Sequence, residues 1–592
     1  MSGGLRAEVL LDLSIWGLDR PLTYRIPEAL AGRVVPGMIV RAPLRGRRVR
    51  GWVLAVSQSP ENPGGAGSDT AGVGDGLADL AGVSGPAPVF DVGLLATAYA
   101  MARRYVHPLS AFLHLITPPQ MLGRARGLPA SPPRRSGEAA ATRTLRRLGP
   151  REDPAAIYAG AIRRALAGGR GAIVVLPEIR EGSLVLERLR DDFGDEAAVV
   201  HSAQEPAERS RALWDVARGK RRVVLGGRTA ALVPAFPLGV VIVHSEGDRT
   251  LKEQRAPYYD AREVAEARAS ACGADLVLAA EAPSLRSLHH AQSGRWSVVE
   301  PPRESMRALW PLVELLEAGR TAMPRRAVAA ILAARKAGER ALILVPRLAA
   351  TPSGPGPAEV AAYLRKVAPQ ARIARADPPA LSGAGDLERA LTAEIIVATE
   401  GALADVERPA VIRRLEGRLG IGTAVALGVD SMVHRPTGRA AEEAFATLWE
   451  LACLLSRSGS PWGREGSGAS GRGSRPRLLL ETDSAGHHVV QAVVRGDYHF
   501  FARRELEARQ ASDVPPFSTL VRVRAVRREI GDEVLDRLAE LPGTELLGPV
   551  EGRLGAEVLL KVGDREPVLD PLRGIVASAG ERLLVEMDPR EW

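Results

Sequence analysis

Apolar residues recur along this chain in distinct rhythms. From Glu8 to Val56 they form short β-like runs (EVLLDLSIW, LTYRIP, MIVRAP, RGWVLAVS) separated by Pro and Gly turns, which predicts a small β-rich module. The stretch LLATAYAMARRYVHPLSAFLHLI then carries helical spacing and predicts a small winged-helix-like unit. Beyond residue 141 helical runs alternate with compact apolar ones: AIYAGAIRRALAGG, GAIVVLP, SLVLERLRDDFG, AAVV, RRVVLGG, GVVIV, REVAEARASACG and DLVLAA. That alternation is the signature of a parallel α/β sheet, and it repeats between about 305 and 455 through ALILVP, EVAAYLRKVAP, RIARA, EIIVAT and TAVALGV. A compact α+β tail follows, with ELEAR, LVRVRAV, EVLLKV and LLVEM.

The polar stretches between these patterns set the boundaries. ENPGGAGSDTAGVGDG, the Pro- and Arg-rich residues 123–140, and SRSGSPWGREGSGASGRGSRPR are too rich in Gly, Ser and Pro to build a core and read as flexible linkers. The expected plan is a multidomain α/β chain: a β-rich N-terminal module over 1–57, linker 58–90, winged-helix-like unit 91–122, linker 123–140, α/β lobes over 141–290 and 291–455, linker 456–477 and an α+β domain over 478–592. With 592 residues the chain is long for one core, which agrees with several domains.

Composition adds less. A net charge of +9 suits a polyanionic partner, but a bland basic surface gives the same number. Among 79 basic residues the only lysines are Lys220, Lys252, Lys336, Lys366 and Lys561, a bias typical of GC-rich coding that weakens Arg as a functional signal. No apolar run approaches the roughly 18 residues needed to span a bilayer, and the N-terminus lacks the features of a secretory signal, so the cytoplasm is expected and no membrane partner. Cys272 and Cys453, far apart in apolar contexts, read as ordinary buried thiols.

The most specific stretch is HSAQEPAERSRALWDVARGKRRVVLGGRTAALVPAFPLGVVIV, in which His201, Ser202, Glu208, Arg209, Trp214, Gly219, Gly226, Arg228 and Pro234 fall on a known pattern. Pro177, Glu178 and Ile179, then Tyr259, Ala261, Arg262 and Ala265, extend it, and RPLTYRIPE, PGMIVRAP, FFARRELEARQASDVPPF, LLGPVEGR and VEMDP match the two ends. On these motifs the chain resembles, over nearly its whole length, the bacterial PriA family (primosomal protein N′) of helicases that restart stalled replication forks. The resemblance implies two helicase lobes, an N-terminal domain that grips the 3′ end of a nascent strand at a fork, and ATP and zinc as the family's cofactors.

The positions of chemistry depart from that family. A P-loop needs Gly-rich backbone, a Lys for the β- and γ-phosphates and a hydroxyl on Mg²⁺. In register, Tyr158 keeps its place, but the Lys reads Pro154, the Thr reads Ala155 and the glycine-rich loop reads Gly149 to Asp153. Lys220 alone among the lysines follows a Gly, and Arg221 takes the hydroxyl position there. The family's Asp-Glu-Glu-His reads His244-Ser245-Glu246-Gly247, its Gly-Ser-Ala-Thr-Pro-Ser reads Ala279 to Ser284, and its Gln-Val-Ala-Gly-Arg-Ala-Gly-Arg reads Glu450 to Arg457. The first arginine of that last motif becomes Leu454 and only Arg457 remains. The cysteine-rich zinc insertion, expected between about Arg347 and Gly354, is missing, and two distant cysteines supply no tetrahedral thiolate site. Loss of the Lys and the Mg²⁺ ligand, at roughly 1.5 to 3 kcal/mol per charge-assisted contact, weakens ATP about a hundredfold to ten-thousandfold. An arginine finger alone supplies about 10³ to 10⁵ in rate. Neither ATPase activity nor a bound cofactor, ATP or zinc, is therefore expected.

The DNA-binding candidates are Arg41, Arg45, Arg47, Arg48 and Arg50 as phosphate contacts, with Thr23 and Tyr24 in the segment Leu22-Thr23-Tyr24, where the family often carries an acid that reads the terminal base. His244 reads as a strand-end histidine with a local hydrogen bond, the pairs His289-His290 and His487-His488 as loop residues, and Trp214 and Trp449 as core. The expected function is a monomeric scaffold that binds branched or forked DNA and recruits replication-restart and replisome proteins. The alternatives are a divergent ATP-dependent 3′-to-5′ helicase whose ligands have moved, for example with Asp248 taking Mg²⁺, and a protein-interaction module without DNA binding.

Overall fold

The computed structural model describes residues 5–58, 77–121, 141–177, 179, 183–235, 237–319, 322–346, 354–377, 392–400, 420–457, 475–526, 529–552 and 555–591. The expected linker 123–140 and the site of the missing zinc insertion, apart from Gly354, lie outside these residues.

The N-terminal sheet is antiparallel, with spatial order Leu22–Arg25, Leu5–Leu11, Arg47–Gln58, Ile39–Leu44, Gly82–Ser84. Period-2 alternation serves two interiors at once. Ala7, Val9, Leu11, Val40, Ala42 and Val53 face the module's own core, whereas Leu10, Ile39 and Trp52 join the large core beyond it. The expected linker is corrected here. Its part over 59–76 lies outside the described residues, but the segment after it is the stave that closes the sheet. The backbone of Arg25, on one edge, bonds to Ala78 and Leu80, while Gly82–Ser84 pairs with Ile39–Arg41 on the other edge. Leu80 fills the core, so a sequence too polar to fold alone is held by its partners on either side.

The expected winged-helix-like unit is corrected as well. The helices Val92–Arg104 and Leu109–Ile116 carry no wing strands among the described residues. They form instead a layer between the N-terminal sheet and the first lobe. Trp52 donates to Thr117 Oγ1 at 2.8 Å from the sheet side. On the lobe side Gly93 packs so tightly on helix Ala261–Cys272 that a Cβ there would stand 2.7 Å from Cys272 Sγ.

The first lobe is a seven-stranded parallel sheet ordered Ser297–Val299, Arg143–Arg147, Asp275–Ala280, Leu238–His244, Gly171–Val175, Val223–Gly226, Ala197–Val200. Its central strands are apolar on both faces because helices cover both. The lobe runs past the expected boundary at 290, since Ser297–Val299 pairs with Arg143–Arg147; as an exposed edge strand it shows no burial rhythm that could have marked it.

The second lobe is a six-stranded parallel sheet ordered Leu312–Leu316, Arg477–Glu481, Ile421–Ala426, Arg340–Val345, Ile395–Thr399, Ile373–Ala376. Its end at 455 is likewise corrected. Arg477–Glu481 pairs on both sides within this sheet, so the Gly/Ser-rich stretch interrupts the lobe rather than ending it. The helix Tyr498–Ala511 also docks on the lobe, with Phe501 stacked on Phe445 at 3.9 Å between ring centroids. The C-terminal domain proper is a four-stranded antiparallel sheet, Thr544–Gly552, Gly555–Val562, Thr519–Ala525, Leu583–Met587, with two helices.

No described helix is long and apolar enough to cross a membrane. The two ends of the chain meet on the first lobe. Arg103 pairs with Asp570 at 3.0 Å and Glu566 at 2.7 Å, Arg573 pairs with Asp19 at 3.0 Å, and Lys252 donates to the Met587 carbonyl at 2.5 Å.

Candidate nucleic-acid surface and the cleft between the lobes

Two places concentrate the residues singled out by sequence. The first is the hairpin of Ile39–Leu44 and Arg47–Gln58, closed by Arg45-Gly46 with φ of 48° and 78°. Positive φ at both central residues is what a tight two-residue hairpin turn requires, and Gly46 supplies one of them without strain. The register sets Arg41 opposite Arg50 and Pro43 opposite Arg48, so Arg41, Arg48 and Arg50 share one face of the ribbon. The side chains of Arg41, Arg45, Arg47 and Arg48 are exposed and have no partner among the described residues.

Arg50 differs, and its place among the phosphate contacts is corrected. Its Nε donates to Asp12 Oδ2 at 2.6 Å, and Asp12 also meets His114 Nδ1 at 3.1 Å. Burial alone would raise the Asp12 carboxyl, but the bonds from His114 and Arg50 outweigh it and hold the group below the usual carboxylate range. This neutralises one of two like charges facing each other across the strands. Tyr24 is corrected too. Only 4% exposed, it lies in the module's core and its hydroxyl donates to the Pro43 carbonyl at 3.2 Å, bracing the hairpin from beneath. Thr23 is exposed, but on the strand two places away in the sheet.

The second place is the crevice at the carboxyl ends of the first lobe's strands, where open α/β sheets hold their ligands. The loop Gly149 to Asp153 leads into helix Pro154–Ala167. Glu152 folds back to accept from the Gly149 amide and from Arg146, both at 2.7 Å. Asp153 caps the helix through the Ala155 amide at 3.0 Å and pairs with Arg188 at 2.7 Å. Two carboxylates thus stand at the helix N-terminus, where the helix dipole favours an anion. Pro154 and Ala155 offer neither cation nor hydroxyl.

Strand Leu238–His244 ends with His244 Nδ1 2.8 Å from the hydroxyl of Tyr158 on that helix. Burial pushes the imidazole down to about 4; Asp248 opposes this and Arg457 reinforces it. Burial also raises the Tyr158 hydroxyl. The pair is neutral at physiological pH. Ser245 turns the chain at φ 46°, and Glu246, fully buried, accepts from the Ser284 amide at 2.5 Å, Ser284 Oγ at 3.0 Å and Ser287 Oγ at 2.7 Å, with Arg262 3.7 Å away. Asp248 caps the turn Arg249–Leu251 through the Thr250 amide at 2.6 Å and hydroxyl at 2.7 Å. Each acid near the strand end is therefore engaged by donors of the chain itself.

From the second lobe, helix Ala440–Arg457 brings Leu454, buried, and Arg457, which pairs with Glu281 just past strand Asp275–Ala280. Sequence reasoning missed Glu281. The signal was present as a lone acid among Ala279, Ala280 and Ala282, but nothing local names a partner 176 residues away. Lys220 lies elsewhere and pairs with Asp215 at 3.4 Å. Both histidine pairs sit on helices rather than loops: His289 and His290 end helix Leu285–Gln292, and His487 caps the helix that begins at His488. Among the described residues no group of three His, Cys, Asp or Glu is arranged to hold a metal ion.

Comparison with known proteins places these features. Residues 8–118 match the family model described as the PriA 3′ DNA-binding domain, a span that takes in the N-terminal sheet, its closing stave and both following helices. The chain is 28% identical to the probable replication restart protein PriA of Mycobacterium leprae, over 98% of this chain and 94% of that protein. It is 25% identical to the replication restart protein PriA of Treponema pallidum, covering 97% of this chain and 98% of that one. The match to the Bacillus subtilis replication restart protein PriA, at 24% identity, covers 69% of this chain and 56% of the relative. Among solved structures, RecG bound to a three-way DNA junction aligns with a TM-score of 0.39 at 16% identity, over 62% of this chain and 44% of that one.

Proposed function

We propose that this chain, which belongs to the PriA family of replication restart proteins, binds branched or forked DNA and serves restart as a scaffold that does not turn over ATP. The observation that carries this reading is a contrast between its two sites. Arg41, Arg45, Arg47 and Arg48 of the hairpin are exposed and have no partner among the described residues, which suits them to phosphate oxygens, whereas the polar groups of the interlobe crevice are engaged by one another. Phosphoryl transfer depends on a Lys, a metal ion and an arginine placed around the triphosphate. Here those positions hold Pro154, a neutral His244 and an Arg457 already paired with Glu281.

A helicase with relocated ligands is the weaker reading. Asp248 would have to give up its cap on Thr250, and Glu246 its buried bonds to Ser284 and Ser287, before either met a metal ion. In the scaffold reading the lobes hold the DNA-gripping module and the C-terminal domain at a fixed spacing, to which restart and replisome proteins are recruited. The chain acts as a cytoplasmic monomer.

The test is ATP turnover by purified protein with forked DNA, with fork binding followed in the same samples. Fork binding without turnover is the expected result. DNA-stimulated turnover, or absence of fork binding, overturns the proposal.

A further inference from the structure

Groups of the chain itself cross the crevice between the lobes. Arg457 is the last residue of helix Ala440–Arg457, and its guanidinium meets the Glu281 carboxylate on the first lobe. One residue earlier, the Ser456 carbonyl accepts from Arg151 Nε at 3.1 Å, and Arg151 belongs to the loop that replaces a phosphate cradle. In the first turn of the same helix, Glu442 accepts from the Leu285 amide at 2.8 Å. On the neighbouring helix, the Tyr498 hydroxyl donates to the Pro283 carbonyl at 2.8 Å. On the first-lobe side these partners lie in the loops that leave strands Arg143–Arg147 and Asp275–Ala280, apart from Leu285, which opens the helix after the second of those loops.

Among these interactions the ion pair is the one between full charges at the mouth of the crevice. The side chains of Arg457 and Glu281 are only 13% and 23% exposed, so solvent screens them weakly. The groups around them make the pairing specific. His244 and Tyr158 are neutral neighbours, and Arg146 is occupied by Glu152. A cation at a helix C-terminus also satisfies the negative end of its dipole, which fixes where Arg457 is anchored.

We propose that the Arg457–Glu281 pair is a built-in lock: the carboxylate of Glu281 stands where a bound anion would bridge the lobes, and holds them in one closed arrangement without any ligand. The proposal rests on the reading that this crevice takes no nucleotide. It turns a crevice whose closure would follow ligand binding into a permanent brace. The relative placement of the DNA-binding module and the second lobe is then constant.

Spin labels at Lys220→Cys in the first lobe and Lys336→Cys in the second, on the full chain with Cys272→Ala and Cys453→Ala, read the interlobe distance in solution without DNA. The locked protein gives one narrow distance distribution, unchanged by Mg-ATP. Glu281→Gln keeps shape and size but removes the charge, and it should raise the open population roughly tenfold from the ~0.1–10% of a minor state. The exchange Glu281→Arg with Arg457→Glu should restore the narrow distribution. Arg457→Gln, which removes the other charge of the pair, should widen the distribution in the same direction and is a second variant independent of Glu281→Gln. A narrow distribution in both Glu281→Gln and Arg457→Gln overturns the lock. A shift of the unsubstituted protein on adding Mg-ATP overturns the nucleotide-free reading instead, so the two failures are told apart.

Discussion

The Tyr158 hydroxyl and His244 Nδ1 lie 2.8 Å apart with their rings edge-on, and this pair closes the end of the strand where a metal-binding acid would stand in a nucleotide motor. Because burial holds His244 at about 4 against an ordinary value of 6.5, the folded protein binds no proton there until well below the pH at which the unfolded chain does. Between those two values the unfolded state carries more protons, so stability rises with pH through the window and is lost as pH falls from about 6.5 toward 4. The shift corresponds to about 3 kcal/mol at the acid end. His107 and His290, also held at about 4 by burial, act in the same direction. Urea unfolding of the first lobe at stepped pH should show this slope, and His244→Gln, which keeps a hydrogen-bonding group but no titrating one, should make it shallower. Identical slopes in the two proteins refute the assignment.

The hairpin arginines separate by role. Replacing Arg41, Arg45, Arg47 and Arg48 with Ala should weaken fork binding and flatten its dependence on salt, by about 0.7 to 0.9 in the log–log slope for each arginine that had neutralised a phosphate, with little change in melting temperature. Arg50→Ala should behave in the opposite way. It leaves the Asp12 carboxylate part-buried and short of a partner, at a cost of about 1 to 3 kcal/mol, while the salt slope stays close to that of the unsubstituted protein. Filter binding across a salt series, beside thermal melts, reads both. A steep fall in salt dependence on Arg50→Ala alone would reverse the assignment.

The lobes were legible because their central strands, such as Gly171–Val175 and Ile395–Thr399, are continuous apolar runs that only a sheet covered on both faces buries. The boundaries were not. Gly82–Ser84 has one valine between two small residues and is a strand only because Ile39–Arg41 offers it unpaired backbone. Arg477–Glu481 follows a Gly/Ser-rich stretch, and composition there conceals a strand whose partners lie more than 50 residues earlier in the chain. At the sites, residue types could be read and distances could not. The arginine cluster stood out as a run, but the neutralisation of Arg50 by Asp12 and of Arg457 by Glu281 depends on pairings across 38 and 176 residues.

Glu246 offers a test of whether an acid near the strand end retains chemistry. It accepts from one amide and two hydroxyls in full burial, so Glu246→Ala leaves those donors and Arg262 without their acceptor. A loss of about 3 kcal/mol or more in stability is expected, in the range for breaking a buried charged cluster. Glu246→Gln, which preserves one acceptor oxygen, should lose less. Calorimetry on both variants checks the order. A variant of unchanged stability with altered ATP hydrolysis would mean that the carboxylate serves a reaction rather than the fold.

Glu263 governs how the modules hold together. Buried in helix Ala261–Cys272, it takes the Tyr105 hydroxyl and Arg286, with Arg565 at 3.3 Å and Arg104 at 3.7 Å. Burial would raise its carboxyl, but the attraction of Arg286, Arg104 and Arg565 outweighs this and holds it well below the ordinary value. Its contribution to stability is therefore present above the unfolded-state value near 4.5 and is lost as pH falls toward the folded one. Tyr105 and Arg104 come from the helical layer beside the N-terminal sheet, and Arg565 comes from the C-terminal domain, so one carboxylate neutralises charges from three parts of the chain. Glu263→Gln strands those cations against one another, and a cost of about 3 to 5 kcal/mol follows. Because these ion pairs join separate modules while each sheet keeps its own core, the melt should also split, with the end modules releasing before the lobes. Scanning calorimetry at pH 7 should resolve two transitions in Glu263→Gln where the unsubstituted protein shows a merged one, and the difference should shrink as pH is lowered below 4.5. A single transition shifted by less than about 1 kcal/mol would show that the modules are joined by their apolar packing and not by this charge.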